Sequence, residues 1–377
     1  MRIVLLGASG NAGREITRLL TPTLGAGDVV VLAGRDQKRL AATAAVTTGP
    51  ATIQVETVDA GDDAAVQRLV AQATIVVVTA SVPERIPALV RIVAEAGADW
   101  FDTMLSTRTK IEAFRHLEPQ LLESGQCFVT DGGFHPGLPA AMVRWADRRI
   151  DALETAEVYG GMRLDWRADT LSESTIIEML SEFADFDMTT YRDGGWRTLR
   201  WSQCPTVDFG LPIGRKSCVP MYLAEMESLP TDIPTLRRCG FFVGGFSPLM
   251  DYVALPVIMG LAKVPALQRM TVALTRWSFG HLANDPPPHR ISIRLSAAGL
   301  REGLPATARM EISGDDGYLL TAAPVVACLR RLLDGSIRRP GVWLQGHLVD
   351  PDSFFTDLAS FGLTVEAEVS PQGSPAA

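Results

Sequence analysis

The 377-residue sequence has little that would tie it to a metal, a disulfide framework, a nucleic acid or a bilayer. Its five cysteines are odd in number, and none of Cys127, Cys204, Cys218, Cys239 and Cys328 has CxxC spacing. Neither a disulfide framework nor a zinc site is expected, and free thiols suit a reducing cytoplasm. The five histidines include no helical metal pair, so no metal is expected. Lys and Arg total 35 against 43 Asp and Glu, for a formal net charge of -8, which leaves no basic stripe for nucleic acid. The longest apolar run, 252–264, contains Pro256 and Gly260 and falls short of the ~20 residues of a membrane span. It reads as a core segment or the wall of an apolar pocket. The apolar stretch after Met1 is too short for a signal peptide.

What is present is a hydrophobic content of 47% and a length that suits about two domains at ~150 residues each. Over the first 130 residues strand and helix patterns alternate without a break. Apolar strands at 2–6, 28–34, 52–58, 74–80, 98–103 and 126–133 are separated by helical periodicities at 12–20, 37–45, 62–71, 86–97 and 107–124. Apolar strands alternating with helices predict an α/β fold, a doubly wound parallel sheet covered on both faces. After "DGGFHPGLP" (131–139) the pattern loosens. Strands are expected at 156–164, 270–280, 290–299 and 306–314, and a helix near 172–183. A long helix over 319–333 is expected to be interrupted at Pro324. A last helix at 351–361 and a strand-like segment from 362 precede a tail, "SPQGSPAA", that should be disordered.

The motif that carries most chemistry is "LLGASGNAG", with Gly7, Gly10 and Gly13 spaced by three between a strand and a helix. In a strand–helix–strand unit this spacing predicts a dinucleotide site. Gly7 allows the tight turn, Gly10 lets a pyrophosphate approach, and Gly13 lets the helix pack closely. The amides around Ser9, Gly10, Asn11, Ala12 and Gly13, with the helix dipole, favour an anion. The second strand ends "VLAGRD", with Arg35 where an NAD site places an acid. Arg35 predicts NADP(H), by pairing with a 2′-phosphate, and Asp36 can cap the next helix. Asp59 can meet the adenine amine or cap the following helix. Thr79, Ala80 and Ser81 can line the nicotinamide ribose or serve only as a turn.

The ordered set "GASGNAG", "AGRD", "TASVP", "AGADWFDT" and "DGGFHPGLP" resembles the saccharopine dehydrogenase/reductase-like NADP-binding family, as does "TAAPVVACLRRLLDGSIRRPGVWL" near the end. Trp100, Asp102, Gly133, Pro136 and Gly137 match the family's Tyr/Trp-x-Asp element and Gly-x-x-Pro-Gly turn. The resemblance covers the first ~140 and last ~60 residues. It implies a Rossmann domain (1–133) interrupted by a mixed α/β substrate and dimerisation domain (134–317). A return to the first domain (318–368) and a disordered tail (369–377) follow. It also implies hydride transfer from NADPH, often to an imine, in some relatives to a carbon–carbon double bond. Relatives often continue with Gly-Glu after the residue matched by Asp102; here "TMLSTR" follows.

Two residues are candidate catalytic groups. His135, in the "GGFHPG" turn, can donate a proton near pH 7 or be a hydrogen-bonded loop residue. Asp102, ending a strand, can bind an ammonium, orient water or sit at a helix N-terminus. Arg163 and Tyr159 can bind a carboxylate and a carbonyl or be ordinary strand residues, and Trp166, Tyr191, Trp196 and Trp201 can be core or shape an apolar pocket. The Tyr-x-x-x-Lys pair of short-chain dehydrogenases is absent, and Asn11 stands where a Gly-x-Ser-x-Gly elbow needs its last glycine. The expectation is a cytoplasmic NADPH-dependent oxidoreductase, a homodimer acting on a small molecule at C=N, or else at C=C. A non-catalytic NADP(H) sensor is the reading from another class.

Overall fold

The computed structural model describes residues 1–166, 176–177, 179–180 and 186–371. The chain divides into two compact units, 1–141 with 318–362, and 142–317 with 363–377. The boundaries therefore differ from the expected ones: residues up to 141 stay with the first unit, and the segment from 363 joins the second.

The first unit alternates β1 (Arg2–Leu6), α1 (Asn11–Leu20), β2 (Val29–Gly34), α2 (Gln37–Val46), β3 (Thr52–Thr57), α3 (Asp63–Val70), β4 (Ile75–Val78), α4 (Ile86–Glu95), β5 (Asp99–Asp102), α5 (Arg108–Ser124) and β6 (Cys127–Thr130). Helix α6 (Pro139–Asp147) carries the chain into the second unit. The sheet order is β15-β6-β5-β4-β1-β2-β3, where β15 is Gly341–Leu344, and every pairing is parallel. Such strands are covered on both faces, which is why they read as unbroken apolar runs. Ile3, Val4 and Leu5 of β1 and Val30, Val31 and Leu32 of β2 are all fully buried, each stabilising the fold by about 1.5–3 kcal/mol. The order reverses beside β1, between β2 and β4, so the crevice of a doubly wound sheet opens at the carboxyl ends of β1 and β4. Arg338 fastens the returning segment by donating from Nε and Nη2 to the Asp99 carboxylate, at 2.7 and 3.0 Å.

The second unit is built on a nine-stranded mixed sheet. Its strands are β7 (Ala152–Arg163), β8 (Thr189–Arg192), β9 (Gly195–Thr198), β10 (Thr206–Asp208), β11 (Arg215–Met221), β12 (Arg238–Gly244), β13 (Arg290–Arg301), β14 (Leu304–Gly314) and β16 (Thr364–Pro371). β12 and β7 run parallel, and the other pairings are antiparallel.

Several expectations are corrected. The segment 270–280, read as a strand, is helical: α7 (Leu255–Ala262) is followed by α8 (Gln268–Ser278). Its buried residues Thr271, Val272, Thr275 and Ser278 recur at intervals of three and four, so tertiary burial overrides the β-branched composition. The run 252–264 is not a core segment all round: Tyr252, Val253, Val257 and Val264 are exposed while Ile258 is buried. Helix α9 (Gly317–Leu333) continues through Pro324 instead of breaking there. An interior proline costs about 3 kcal/mol, and the burial of Leu320, Val325, Val326 and Leu329 around it offsets that cost. Helix α10 (Pro351–Ser360) precedes β16. The tail is ordered to Pro371, because β16 pairs with β14 through Ala306 and Pro371, so residues 369–371 are strand rather than disordered. The helix expected near 172–183 and the tail beyond 371 lie mostly or wholly outside the described residues.

Candidate functional site

All strands of the first sheet run the same way, so the residues after their carboxyl ends collect at one edge. Gly7 and Ser9 follow β1, Arg35 follows β2, Asp59 follows β3, Thr79–Ser81 follow β4, Asp102 ends β5, and His135 follows β6.

The glycine turn is built by close approach. Gly7 has a φ of +98°, and a Cβ there would lie 2.5 Å from the Ala80 amide nitrogen and 2.8 Å from Thr79 Oγ1. At Gly13 a Cβ would collide with the Gly7 carbonyl oxygen and lie 2.9 Å from Thr79 Oγ1. Thr79 and Ala80 are therefore the wall against which the turn packs. Gly10 differs: the one neighbour of its added Cβ within 4 Å is the Gly7 carbonyl oxygen, at 3.3 Å. Packing asks little of Gly10, and its open side is the side a pyrophosphate would use.

Gly10 also caps α1, with no side chain to accept from the helix, and the first turn holds no acid. The amides of Asn11, Ala12 and Gly13 start the helix, where intrahelical acceptors run out. A bound phosphate would supply the missing acceptors and meet the positive end of the dipole. The cradle thus fits a dinucleotide.

Arg35 is exposed, and no carboxylate lies within ion-pair distance of it among the described residues. Asp36 does cap α2, accepting from the Arg39 amide at 3.1 Å. Sequence reading passed over Arg39. Its Nη2 donates to the Ser9 carbonyl at 2.8 Å, which holds a second guanidinium against the glycine turn. Its four-residue spacing from Arg35 within the same loop and first helical turn was the available signal. Asp59 turns back on its own loop, accepting from the Gly61 amide at 2.9 Å, and it is Asp62 that caps α3.

The ends of β5 and β6 hold a buried ionic cluster. Asp102 is fully buried and accepts from Trp100 Nε1 at 2.7 Å, the Met104 amide at 3.0 Å and Lys110 Nζ at 2.8 Å. Lys110, itself 3% exposed, also donates to the Met104 carbonyl and to Asp131 Oδ1, the latter at 3.2 Å. Ser106 donates to the same Asp131 oxygen at 2.7 Å. Burial would lower the Lys110 pKa, but Asp102 and Asp131 hold it above its ordinary value. Burial raises Asp131 against the pull of Lys110 and Ser106. Asp102 is thus an internal anchor, with both oxygens used, and does not offer itself to an ammonium or a water. Lys110 and Asp131 were not found from sequence. The only available hint was charge placed at strand and helix ends in an otherwise apolar layer.

His135 is half-buried and stacks on Phe134, with ring centroids 3.9 Å apart. Burial pulls its pKa down to about 4, so the imidazole is neutral at pH 7. Of the two expected roles, a neutral ring suits the loop residue better than the proton donor. Gln345, another residue missed in the sequence, clamps the turn. Its Oε1 accepts from the Gly133 amide at 3.2 Å and its Nε2 donates to the Gly133 carbonyl at 3.0 Å.

In the second unit Tyr159 donates to Glu157 at 2.9 Å, and Glu157 also takes Arg238 and Arg192. Arg163 donates to the Pro286 carbonyl and faces Asp285. Both are committed to internal partners. Trp166 joins an aromatic cluster with Phe246 and Phe279, Tyr191 and Trp196 pack on each other, and Trp201 is exposed beside Tyr252.

Residues 3–129 match the family described as saccharopine dehydrogenase NADP binding domain. Among solved structures, the chain is similar to apo saccharopine dehydrogenase (L-Glu forming) from Saccharomyces cerevisiae. The TM-score is 0.72 and the identity 15%, covering 98% of this chain and 99% of that one. It is more distantly similar to C. glutamicum DAP dehydrogenase in complex with DAP, with TM-score 0.47 and 13% identity over 96% of this chain and 98% of that one. No curated protein matches the sequence. Among the described residues no helix is long and apolar enough to cross a membrane.

Proposed function

We propose that the protein is an NADP-dependent oxidoreductase that transfers hydride from NADPH to a C=N bond of a small molecule, a reading supported by the match of residues 3–129 to the saccharopine dehydrogenase NADP binding domain. The carrying observation is the open cradle at Gly10 with an uncapped α1 and Arg35 free beside it. In this reading the amides of Ser9 to Gly13 hold the diphosphate and Arg35, with Arg39 behind it, takes the 2′-phosphate. Thr79, Ala80 and Ser81 line the nicotinamide ribose. The bound nicotinamide supplies the hydride, and the protein supplies orientation and exclusion of water.

The choice of acceptor rests on the proton. His135 is neutral at pH 7 and Asp102 is fully engaged. A protonated imine brings its own proton: hydride adds to carbon, the C=N π pair becomes the nitrogen lone pair, and no acid need stand ready. The yeast enzyme of the same fold is a saccharopine dehydrogenase, which agrees with an amine–carbonyl product. A conjugated C=C acceptor is the second reading, since "TMLSTR" after Asp102 departs from the Gly-Glu that relatives often carry there and so does not itself point to the imine. We also place the protein in the cytoplasm, where its free thiols stay reduced, and expect a homodimer.

The test is NADPH oxidation with matched panels of imines and enones. Turnover confined to imines supports the first reading and turnover confined to enones the second. Saturable NADPH binding with no turnover of either panel would make the protein an NADP(H) sensor.

A further inference from the structure

The second unit exposes apolar surface in one place out of proportion to the rest of the molecule. Among the described residues fifteen large apolar side chains are exposed, and seven of them fall within residues 249–277. A π-type turn over Met250–Ala254 runs directly into α7, and α8 packs against it. The two share a cluster containing Met250, Ile258, Val272 and Phe279. On the first of these helical runs Leu249, Tyr252, Val253 and Val257 recur at intervals of three and four, and Tyr252 is 60% exposed. That is a second apolar stripe, turned away from the shared cluster. Helix α8 continues it with Met270 and Trp277, and Trp201 stands against Tyr252 with ring centroids 6.1 Å apart. A helix apolar on both faces in a water-soluble fold needs something to cover the outer one.

The charges around the stripe say what covers it. Over residues 249–283 the sequence has three bases, Lys263, Arg269 and Arg276, and a single acid, Asp251. All three bases are exposed and none has a carboxylate within ion-pair distance among the described residues. Asp251 is turned inward, where it accepts from the Phe246 amide at 2.9 Å. The chain as a whole has a net charge of -8, so an apolar face carrying three bases runs against its overall balance. A second copy meeting it across a two-fold axis would bring three more bases to the contact and no outward-facing acid to pair with them, because an isologous contact uses the same patch twice. An anionic lipid surface has the opposite sign. Trp277 and Tyr252 are side chains suited to the headgroup boundary, and Lys and Arg stems lie along apolar surface while their heads reach phosphate.

We propose that the π-turn–α7–α8 face docks the protein peripherally onto an anionic membrane surface, without spanning it. The aromatic and aliphatic stripe enters the headgroup layer, and Lys263, Arg269 and Arg276 pair with lipid phosphates. The proposal does not depend on which bond the enzyme reduces.

Flotation with vesicles tests it, using phosphatidylcholine alone and phosphatidylcholine mixed with phosphatidylglycerol. The full chain should float with the mixed vesicles, less as salt rises, and stay behind with phosphatidylcholine alone. The double variant Arg269→Glu/Arg276→Glu should lose at least about tenfold in partitioning, since each base near such a surface contributes about 1 kcal/mol. Tyr252→Ser/Trp277→Ser should lose binding that high salt does not further weaken. Unchanged NADPH binding shows that each variant is folded. Full-length protein that stays in solution with both vesicles would overturn the proposal. So would variants that leave flotation unchanged, or that dissociate a dimer while the parent protein binds no vesicle; the last result gives the face to a second copy.

Discussion

The carboxyl ends of β1 and β5 belong to one sheet edge yet treat their polar groups in opposite ways. After β1 the fold leaves amides without acceptors, removes the side chain at Gly10 and keeps Arg35 free of carboxylates. After β5 it closes every oxygen of Asp102 onto a donor from its own chain. Unsatisfied polar groups are costly unless a partner arrives. The open end is therefore where a ligand belongs, and the closed end is where the fold stabilises itself. Both are conspicuous by charge or glycine content, and only hydrogen-bond accounting separates them.

The largest effect should come from opening the closed end. Lys110→Ala would leave two buried carboxyls facing each other without a cation, at a cost of about 3–5 kcal/mol. Thermal unfolding should shift down by many degrees, further than in the NADP-site variants below. If Lys110→Ala melts like the parent protein, the cluster does not hold the edge together.

His135 sharpens the comparison through pH. Its folded pKa, about 4, lies below the ordinary 6.5, so folding favours the neutral ring. Its contribution is complete above pH 6.5 and is lost as pH falls from there toward 4. The stability-versus-pH curve of His135→Gln should be flatter over that interval. An unchanged acid limb would assign the loss to other groups.

At the open end, Gly13→Ala should act on both packing and ligand. The added methyl meets the Gly7 carbonyl and Thr79, so the turn must shift, costing about 1–3 kcal/mol. NADPH affinity should fall with it. Wild-type affinity in this variant would mean that the turn geometry does not set the site. The Ser9–Arg39 contact should matter least: Arg39→Ala removes one exposed donor from the turn and should weaken NADPH by a few-fold, against stability change within about 0.5 kcal/mol.

How much of this was legible in the sequence follows from burial. β1, β2 and β4 are covered on both faces, so their residues are uniformly apolar and announce themselves. The glycine spacing announces the turn because φ and contact distances at Gly7 and Gly13 admit no side chain. Lys110 gave no such sign. It lies eight residues after Asp102 and 21 before Asp131, and only the parallel register of β5 and β6 brings the three together. Gln345, more than two hundred residues from Gly133, was hidden for the same reason. Helix α8 was misread because Thr and Val at 271, 272 and 275 carry strand propensity while their spacing is helical. His135 stayed open between proton donor and loop residue because its residue type titrates near neutrality, and its burial does not appear in the sequence.

The most direct test of the central claim is a calorimetric titration of the protein and of Arg35→Ala with NADPH and with NADH. The open cradle with a free guanidinium predicts saturable binding of NADPH, weaker NADH, and a preference that falls about tenfold or more in the variant. No saturable heat with either dinucleotide, or a preference untouched by removing Arg35, would contradict it.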